Sequence, residues 1–582
     1  MDHMKTCDNC GEKTLIVKED KANDFPKNYR KIHDGNIYVC KKCFDFSDKA
    51  RRNLKDIITS GATKKLIIGG PGTGKTYTFL EYLKIFQKND NILIITFINN
   101  LVEELKTEIS KNAKNFSVNK DNIEVKTLHS FCASLFKEEF KGKYEYYSRL
   151  NEIIVDDTRI IFAYGNKIFW KKKIIDQFAN LKGEELAKFC VKRISYYKAV
   201  GDEEVIYCTY PFLRDGKIKP PKYSQIIIDE YQDFNYLESK FIELLAKKKE
   251  NKILIAGDDD QAIYGFKCAN PKFIRDLYYK KEKGFESFIL PYCIRCTEVI
   301  VECANYFIKK IKEKGRLKER IEEKEYICYF PLKYRENEDY KQIDYYETSW
   351  RNFPGLIDKK INIIIDKEQI IPHKENKIDF LIIYPEFRSF WPRKITDLLK
   401  KNNKLKIIKK ESDKRIKLEE GYHYLKKDNK SNLGWRIILK QKPIPEINEI
   451  IKESHSGKSL FDLLPSDYKK KIISNLGTVM NKTGKEKPEV AGINIKLTTF
   501  LGAKGLSADH TFILGVNEGI MPKDNTNISD DESRRFLVAI TRPKKSLTII
   551  SENQGRSVFI NMILNKFIIP KKIRKDEIEK MK

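Results

Sequence analysis

Eight consecutive residues, Gly69, Gly70, Pro71, Gly72, Thr73, Gly74, Lys75 and Thr76, have the spacing of a loop built to hold phosphate. Glycines let successive backbone N–H groups converge on an anion at a helix N-terminus, where the helix dipole adds to the attraction. In such a loop Lys75 reaches the outer phosphates and Thr76 offers its hydroxyl to Mg²⁺. A second cluster, Asp229 and Glu230, closes an apolar run and is followed by Asp233. Phosphoryl hydrolysis needs one carboxylate on a divalent cation and another facing an attacking water. Asp229 is the expected magnesium partner and Glu230 the expected general base. Near the N-terminus, Cys7 with Cys10 and Cys40 with Cys43 form two pairs, each with two residues between its members. Four thiolates so paired are the ligand set of a closed tetrahedral zinc site, which folds its segment and does not catalyse.

These groups need elements to position them. Apolar, β-rich runs at 65–70, 92–97, 123–128, 225–229, 253–258 and 288–290 alternate with helix-like stretches. That alternation predicts an α/β fold with a parallel sheet covered on both faces. The phosphate loop follows the first run and the acidic pair the fourth, so both fall where such sheets bind ligands, at the C-terminal ends of strands. A second series at 379–384, 495–500, 510–516 and 546–551 predicts a second α/β core. Lys-rich, helical stretches interrupt both. The expected organisation is a zinc-ribbon-like module at 1–45, a first core at 46–132 and 222–300, and a helical insertion at 133–221. A second core at 301–440 and 489–555, a reduced helical insertion at 441–488 and a basic tail at 556–582 complete it.

Composition narrows the classes. Among 582 residues, 112 Lys and Arg face 83 Asp and Glu, a formal charge of +29 that favours nucleic acid or another acidic partner. Heavy use of Lys, Ile, Asn, Tyr and Phe is also what A/T-rich coding produces, so the motifs carry the argument. A hydrophobic fraction of 41% excludes a disordered chain. No apolar run is long enough to span a bilayer and the first residues are polar, which predicts a soluble, cytoplasmic protein without a membrane partner. Twelve cysteines are too sparse for a disulfide framework.

With their successors, these motifs resemble the UvrD/Rep type of superfamily 1 helicases, in order over residues 46–550. The resemblance implies two RecA-like domains with ATP, or another NTP, and Mg²⁺ between them. It implies that Gln261 senses the γ-phosphate and that Arg295 and Arg542 act as arginine fingers. Tyr264 and Phe266, with Phe97, are expected to stack bases, and Thr127 and His129 to touch the DNA backbone. The segment 503–506 is similar to the family's fifth motif and implies a nucleic-acid contact at Lys504 and a nucleotide contact at Gly505. The implied partner is single-stranded or tailed duplex DNA, with 3′ to 5′ movement, as in motors of DNA repair and anti-phage defence.

The departures from the family pattern cluster at the base and ribose. Ala50, Ile294 and Ser507 stand where adenine- and ribose-reading groups are usual, and Tyr77 replaces an arginine and offers a stacking face. Leu501 and Asn100 alter positions near the strand path. Two functions therefore stay open: an NTP-driven translocase and helicase, or a nucleotide-gated nucleic-acid-binding or signalling subunit with little unwinding. No nuclease constellation is evident, so any cutting falls to a nuclease or other protein partner. An adenylate-type kinase would leave the later motifs unexplained.

Overall fold

Uninterrupted β-branched and leucine runs build the first sheet. Leu66 to Ile68, Ile92 to Ile95 and Ile226 to Ile228 are fully buried, as strands covered on both faces must be. Strands β1 (Lys64–Gly69), β2 (Ile92–Thr96), β3 (Ile123–Thr127), β4 (Gln225–Ile228), β5 (Lys252–Gly257) and β6 (Glu286–Leu290) are parallel in the order β6-β1-β5-β4-β2-β3. Alternate side chains go to opposite faces. Leu66, Ile68, Leu93, Ile95, Ile226 and Ile228 enter one core, and Ile67, Ile92, Ile94, Ile227 and Leu254 the other.

This computed structural model describes residues 53–246, 252–280, 284–328, 343–375, 377–386, 390–408, 416–477 and 491–581, with four short strands within 5–40. Cys7, Cys10, Cys43, Ala50 and the side chain of Cys40 lie outside the described residues, and with them the expected zinc site and the expected adenine-side position. Among the described residues, no helix is long and apolar enough to cross a membrane.

The second sheet has seven parallel strands. They are β7 (Asp344–Glu347), β8 (Phe380–Tyr384), β9 (Leu405–Ile408), β10 (Ile493–Thr499), β11 (Ala508–Leu514), β12 (Pro543–Ser551) and β13 (Pro570–Lys572), in the order β9-β10-β8-β11-β12-β7-β13. Three of them, β7, β9 and β13, are not expected from the sequence. Each is only three or four residues long, and β13, at the edge where a proline is tolerated, is largely lysine. With helix Val558–Ile563, whose Phe559, Ile560 and Ile563 are fully buried, β13 makes the expected basic tail part of the second core.

Helices inserted into the two cores pack on each other. Leu150, Ile154, Trp170 and Phe178 from the first insertion share one apolar cluster with Leu425, Trp435, Ile437 and Ile451 from the second. Helices Leu418–Lys427 and Asn432–Gln441 belong to this cluster, so the second helical unit begins before 441. A buried ion cluster sits at the seam. Asp157 accepts from Arg193 Nε at 2.9 Å, from Arg436 Nε at 2.8 Å on its other oxygen, and from the Tyr197 hydroxyl at 2.5 Å. Burial opposes ionisation of Asp157, yet Arg436 and Arg193 hold its carboxyl below the ordinary carboxylate range.

Removing one partner of a buried ion cluster strands the others. We expect Asp157→Ala to lower stability by about 3–5 kcal/mol, read as a lower urea midpoint. Because the folded-state pKa is depressed, the carboxylate's contribution is whole at neutral pH and is lost as pH falls below about 4, where the gap to wild type should narrow. An unchanged midpoint at pH 7 would show that the apolar seam alone holds the two insertions.

Candidate nucleotide and nucleic-acid site

Strands β1, β5, β4 and β2 lie side by side, so the segments leaving their C-terminal ends meet along one edge. The phosphate loop leaves β1 and enters helix Lys75–Leu83 with Gly72 and Gly74 at φ 72° and 87°. Both lie in the left-handed region that favours glycine. A Cβ on Gly69 would come within 2.6 Å of Thr73 Oγ1, and one on Gly72 within 2.5 Å of Arg295 Cβ. Lys75 Nζ donates to the Gly69 carbonyl at 2.9 Å, which sets its ammonium across the mouth of the loop, and Thr76 follows on the first helical turn.

Asp229 and Glu230 leave β4 beside the loop. Asp229 is buried and its carboxylate accepts the Glu230 N–H at 2.9 Å. Glu230 itself has φ 54°, a left-handed conformation costing about 1–3 kcal/mol in a residue with a Cβ. Gln232 Nε2 donates to Glu230 at 2.5 Å. Burial and the neighbouring Glu230 charge push Asp229 up to about 7. Burial opposes ionisation of Glu230 too, but Lys75 and Lys504 hold its carboxyl below the usual range. The pair is thus split into an ionised Glu230 and an Asp229 that a divalent cation would return to its carboxylate form. Convergent loop glycines, a lysine and a carboxylate pair of this kind fit a Mg²⁺-bound triphosphate, held by residues 69–76 with Thr76 and Asp229 on the cation.

The far wall comes from the second core. Arg542 is buried, donating through Nε to Val538 O at 2.7 Å and through Nη2 to Gln261 Oε1 at 3.4 Å. Burial and the Arg295 charge lower its guanidinium to about 10. Gln261 Nε2 in turn donates to Asp258 at 2.7 Å. Arg295 stands over Gly72, and its charge acts on Arg542, which in turn meets Gln261. Tyr77 and Ile294, 51% and 37% exposed, both lie beside Gly74, where an added Cβ would be 3.8 Å from the Tyr77 Cβ and 3.5 Å from the Ile294 Cδ1.

Lys504 and Gly505 both have protein partners. Lys504, expected on nucleic acid, is buried against Asp233 and the Gln261 carbonyl, with Glu230 at 3.9 Å. Burial raises Asp233 to about 7 against the pull of Lys504. Gly505, expected on nucleotide, has φ 77° and packs on Ile98, where a Cβ would lie 3.1 Å from its Cδ1.

Sequence reasoning also missed a strap. Lys324 Nζ contacts Asp258 at 2.5 Å, Asp259 at 2.7 Å and Asp260 at 2.8 Å, and Arg320 and Arg275 pair with Asp260 and Asp259, each at 2.9 Å. Three carboxylates close enough to share a cation are therefore already neutralised by side chains. Two residues on, the Tyr326 hydroxyl donates to Pro71 O in the phosphate loop at 2.7 Å. In sequence the charges of 316–326 have the look of ordinary surface; only the fold shows that they meet the acidic run at 258–260.

A small cleft beside this site takes two of the candidate strand-binding residues, Phe97 and His129, with the acidic Glu203 and Glu238. Phe97, His129, Lys267 and Asp233 line it together with Ile175 and Phe178 of the first insertion. Rings step outward from Phe234 to Phe97 at 6.1 Å, to Tyr264 at 5.0 Å and to Phe266 at 5.9 Å. Phe97 and Tyr264 are half-buried, and Phe266 is 49% exposed, the accessible end of the ladder. Thr127 caps helix Leu128–Glu139 by accepting the Ser130 N–H at 3.2 Å, and His129 Nε2 lies 4.0 Å from Glu238. Phe266→Ala should weaken single-strand binding by about 1–3 kcal/mol, measured as anisotropy of a labelled oligonucleotide. Unchanged affinity and unchanged DNA-stimulated turnover would mark Phe266 as packing only.

Comparison with known proteins agrees with this geometry. A family model described as an AAA domain matches residues 55–267, which carry the phosphate loop, the acidic pair and Gln261. A protein named ATP-dependent DNA helicase Rep, from Buchnera aphidicola subsp. Schizaphis graminum, is 23% identical over 83% of this chain and 90% of its own length. A probable DNA helicase II homolog from Mycoplasma genitalium is 25% identical over 88% of this chain and 86% of its own. A protein from Lactobacillus helveticus named as part of an ATP-dependent helicase/nuclease is 27% identical over 32% of this chain and 14% of its own. Two parallel sheets meeting at one phosphate site, with relatives that run nearly end to end along the chain, make it similar to the UvrD/Rep-like superfamily 1 helicases.

Proposed function

We propose that this protein is an ATP-dependent single-stranded DNA translocase and helicase of the UvrD/Rep type, moving 3′ to 5′ and coupling hydrolysis to strand separation. The observation that carries the reading is the meeting of Lys75, Asp229 and Glu230 from the first core with Arg542 from the second, next to an aromatic cleft. Bound Mg²⁺ would supply charge neutralisation on the phosphates. Glu230, ionised and steadied by Gln232, takes a proton from the attacking water. Arg542 and Gln261, in mutual contact, sense the outermost phosphate from opposite cores. A change at that phosphate can shift one core against the other, which is what strand movement needs.

Glu230→Gln should bind ATP but turn over at least about a hundredfold more slowly, the scale of a lost general base. Lys75→Ala should also weaken nucleotide binding. Strand displacement on a 3′-tailed duplex tests the motor directly. Near wild-type turnover in both variants would remove the enzymatic reading, whereas turnover without displacement would favour a nucleotide-gated binding subunit.

Selection among nucleotides is proposed to rest on the triphosphate and on stacking against Tyr77, the base lying in a slot beside its ring. A ring face tolerates any base, while hydrogen-bonding groups reject the wrong one because they are left unpaired. GTP should therefore support turnover within about tenfold of ATP, a gap worth about 1.4 kcal/mol. An ATP preference above about a hundredfold would overturn this reading of the slot.

Cys7, Cys10, Cys40 and Cys43 are proposed as a structural zinc site on their donor chemistry, and cytoplasmic localisation and a nuclease or other protein partner in DNA repair or anti-phage defence remain part of the proposal. Elemental analysis of the reduced protein should find one zinc per chain; a zinc-free protein would end the zinc reading.

A further inference from the structure

The first helical insertion carries a surface that the nucleotide site and the strand cleft do not use. Between helices Leu150–Phe162 and Lys167–Ala179 the chain turns through Ala163 at φ 56° and Gly165 at φ 70°. Asn166 caps the second helix by accepting the Phe169 N–H at 2.9 Å, and Trp170 Nε1 donates to Tyr164 O at 2.5 Å. A Cβ on Gly165 would lie 2.6 Å from the Phe169 ring. The turn is thus closed tightly around its own aromatics, and those at its rim are held in place.

They are also exposed. Phe162, Tyr164, Ile168 and Phe169 all face solvent, Ile168 with 80% of its surface. Tyr164 lies 4.8 Å from the Trp170 ring and 6.1 Å from Phe169. A rigid apolar patch in water is unfavourable unless something covers it, and such patches mark interaction sites. Its flanking charge is mainly basic, with Glu152 and Asp156 set against Lys167 at 4.0 and 3.9 Å. Lys171 and Lys172 are exposed and have no ion-pair partner among the described residues, and Lys173 Nζ sits over the Phe169 ring at 4.7 Å. Ring faces interleaved with ammonium groups match the two halves of a single strand, stacked bases and backbone phosphates.

Position selects the same partner. Helix Lys167–Ala179 begins at the patch and ends in the strand cleft, where Ile175, Phe178 and Ala179 stand with Phe97, His129 and Lys267. From Phe169 to Phe178 the helix rises about 13 Å, so one rigid element joins the two surfaces. We propose that Phe162, Tyr164, Ile168 and Phe169 with Lys171 and Lys172 form a second single-strand contact that lengthens the strand track beyond the motif cleft. This rests on the helicase reading above.

The test is anisotropy with fluorescein-labelled oligothymidylates, a short one of about 4 nucleotides that cannot span cleft and patch together and a long one of about 20. The variants are Tyr164→Ala and the exposed pair Lys171→Ala with Lys172→Ala, whose surface positions keep folding out of the result. Each should weaken the long oligonucleotide about five- to tenfold and leave the short one unchanged, whereas Phe266→Ala weakens both. The lysine pair should also flatten the slope of log affinity against log salt by about 1.4, near 0.7 for each single-strand phosphate that is no longer neutralised. Equal affinity of wild type and variants for the long oligonucleotide overturns the proposal, as does equal weakening for both lengths. Untouched DNA binding alongside release of a bound protein overturns it as well. Failure of the wild type to bind either length is a different result, which removes the helicase reading itself.

Discussion

A buried lysine that crosses from one sheet to the carboxylates of the other is the contact on which this site depends. Lys504 follows β10 of the second sheet, and its ammonium is buried against Asp233 and the Gln261 carbonyl with Glu230 close by. An ammonium removed from water without such partners would cost several kcal/mol, about what a small domain has in total. The two cores are therefore held at the distance that completes this pairing. It also sets the charge balance of the phosphate site: Asp229, Glu230 and Asp233 draw chiefly on Lys75 and Lys504. Burial, together with the one negative charge left over in this inner group, pushes Asp229 towards its protonated form, and a divalent cation belongs beside it.

The strap at 320–326 solves the opposite problem. Asp258, Asp259 and Asp260 are buried side by side, and Lys324, Arg320 and Arg275 balance them. Asp258 then orients Gln261, whose side chain meets Arg542. The same strap presents Tyr326 to the phosphate loop at Pro71, with its ring on Gly70. Packing, and not conformational freedom alone, thus explains a glycine at position 70. Through these short links the phosphate loop, Gln261 and Arg542 form one connected network.

How far the sequence showed this differs by element. Strands β1, β2, β4 and β8 are legible because their buried isoleucine and leucine runs can satisfy no other environment. Strands β7 and β13 are not, since a short strand of tyrosine, aspartate or lysine has no periodicity to distinguish it from a loop. The phosphate loop and the acidic pair are legible for a related reason: their chemistry demands neighbours in sequence. Lys504 is expected on nucleic acid from its likeness to the family's fifth motif, and its burial is not legible because its partners, Asp233 and Gln261, lie far away in the chain. The seam around Asp157 is invisible for the same cause, its two arginines coming from different insertions.

The two kinds of contact between the halves differ in what they permit. At the phosphate site the cores meet through hydrogen bonds and charges, which can exchange one partner for another when a nucleotide arrives, at little net cost if each group stays satisfied. The helical insertions meet through a close-packed apolar core around Trp170 and Trp435 and through the Asp157 cluster, where any sliding would open cavities or strand a charge. A rearrangement driven from the phosphates is therefore easier at the polar interface than at the helical seam. Because helix Lys167–Ala179 lies within that seam and also lines the strand cleft, the cleft wall it supplies is anchored to the stiffer body, while the wall supplied by Phe97 and Lys267 belongs to the core that carries the phosphate loop.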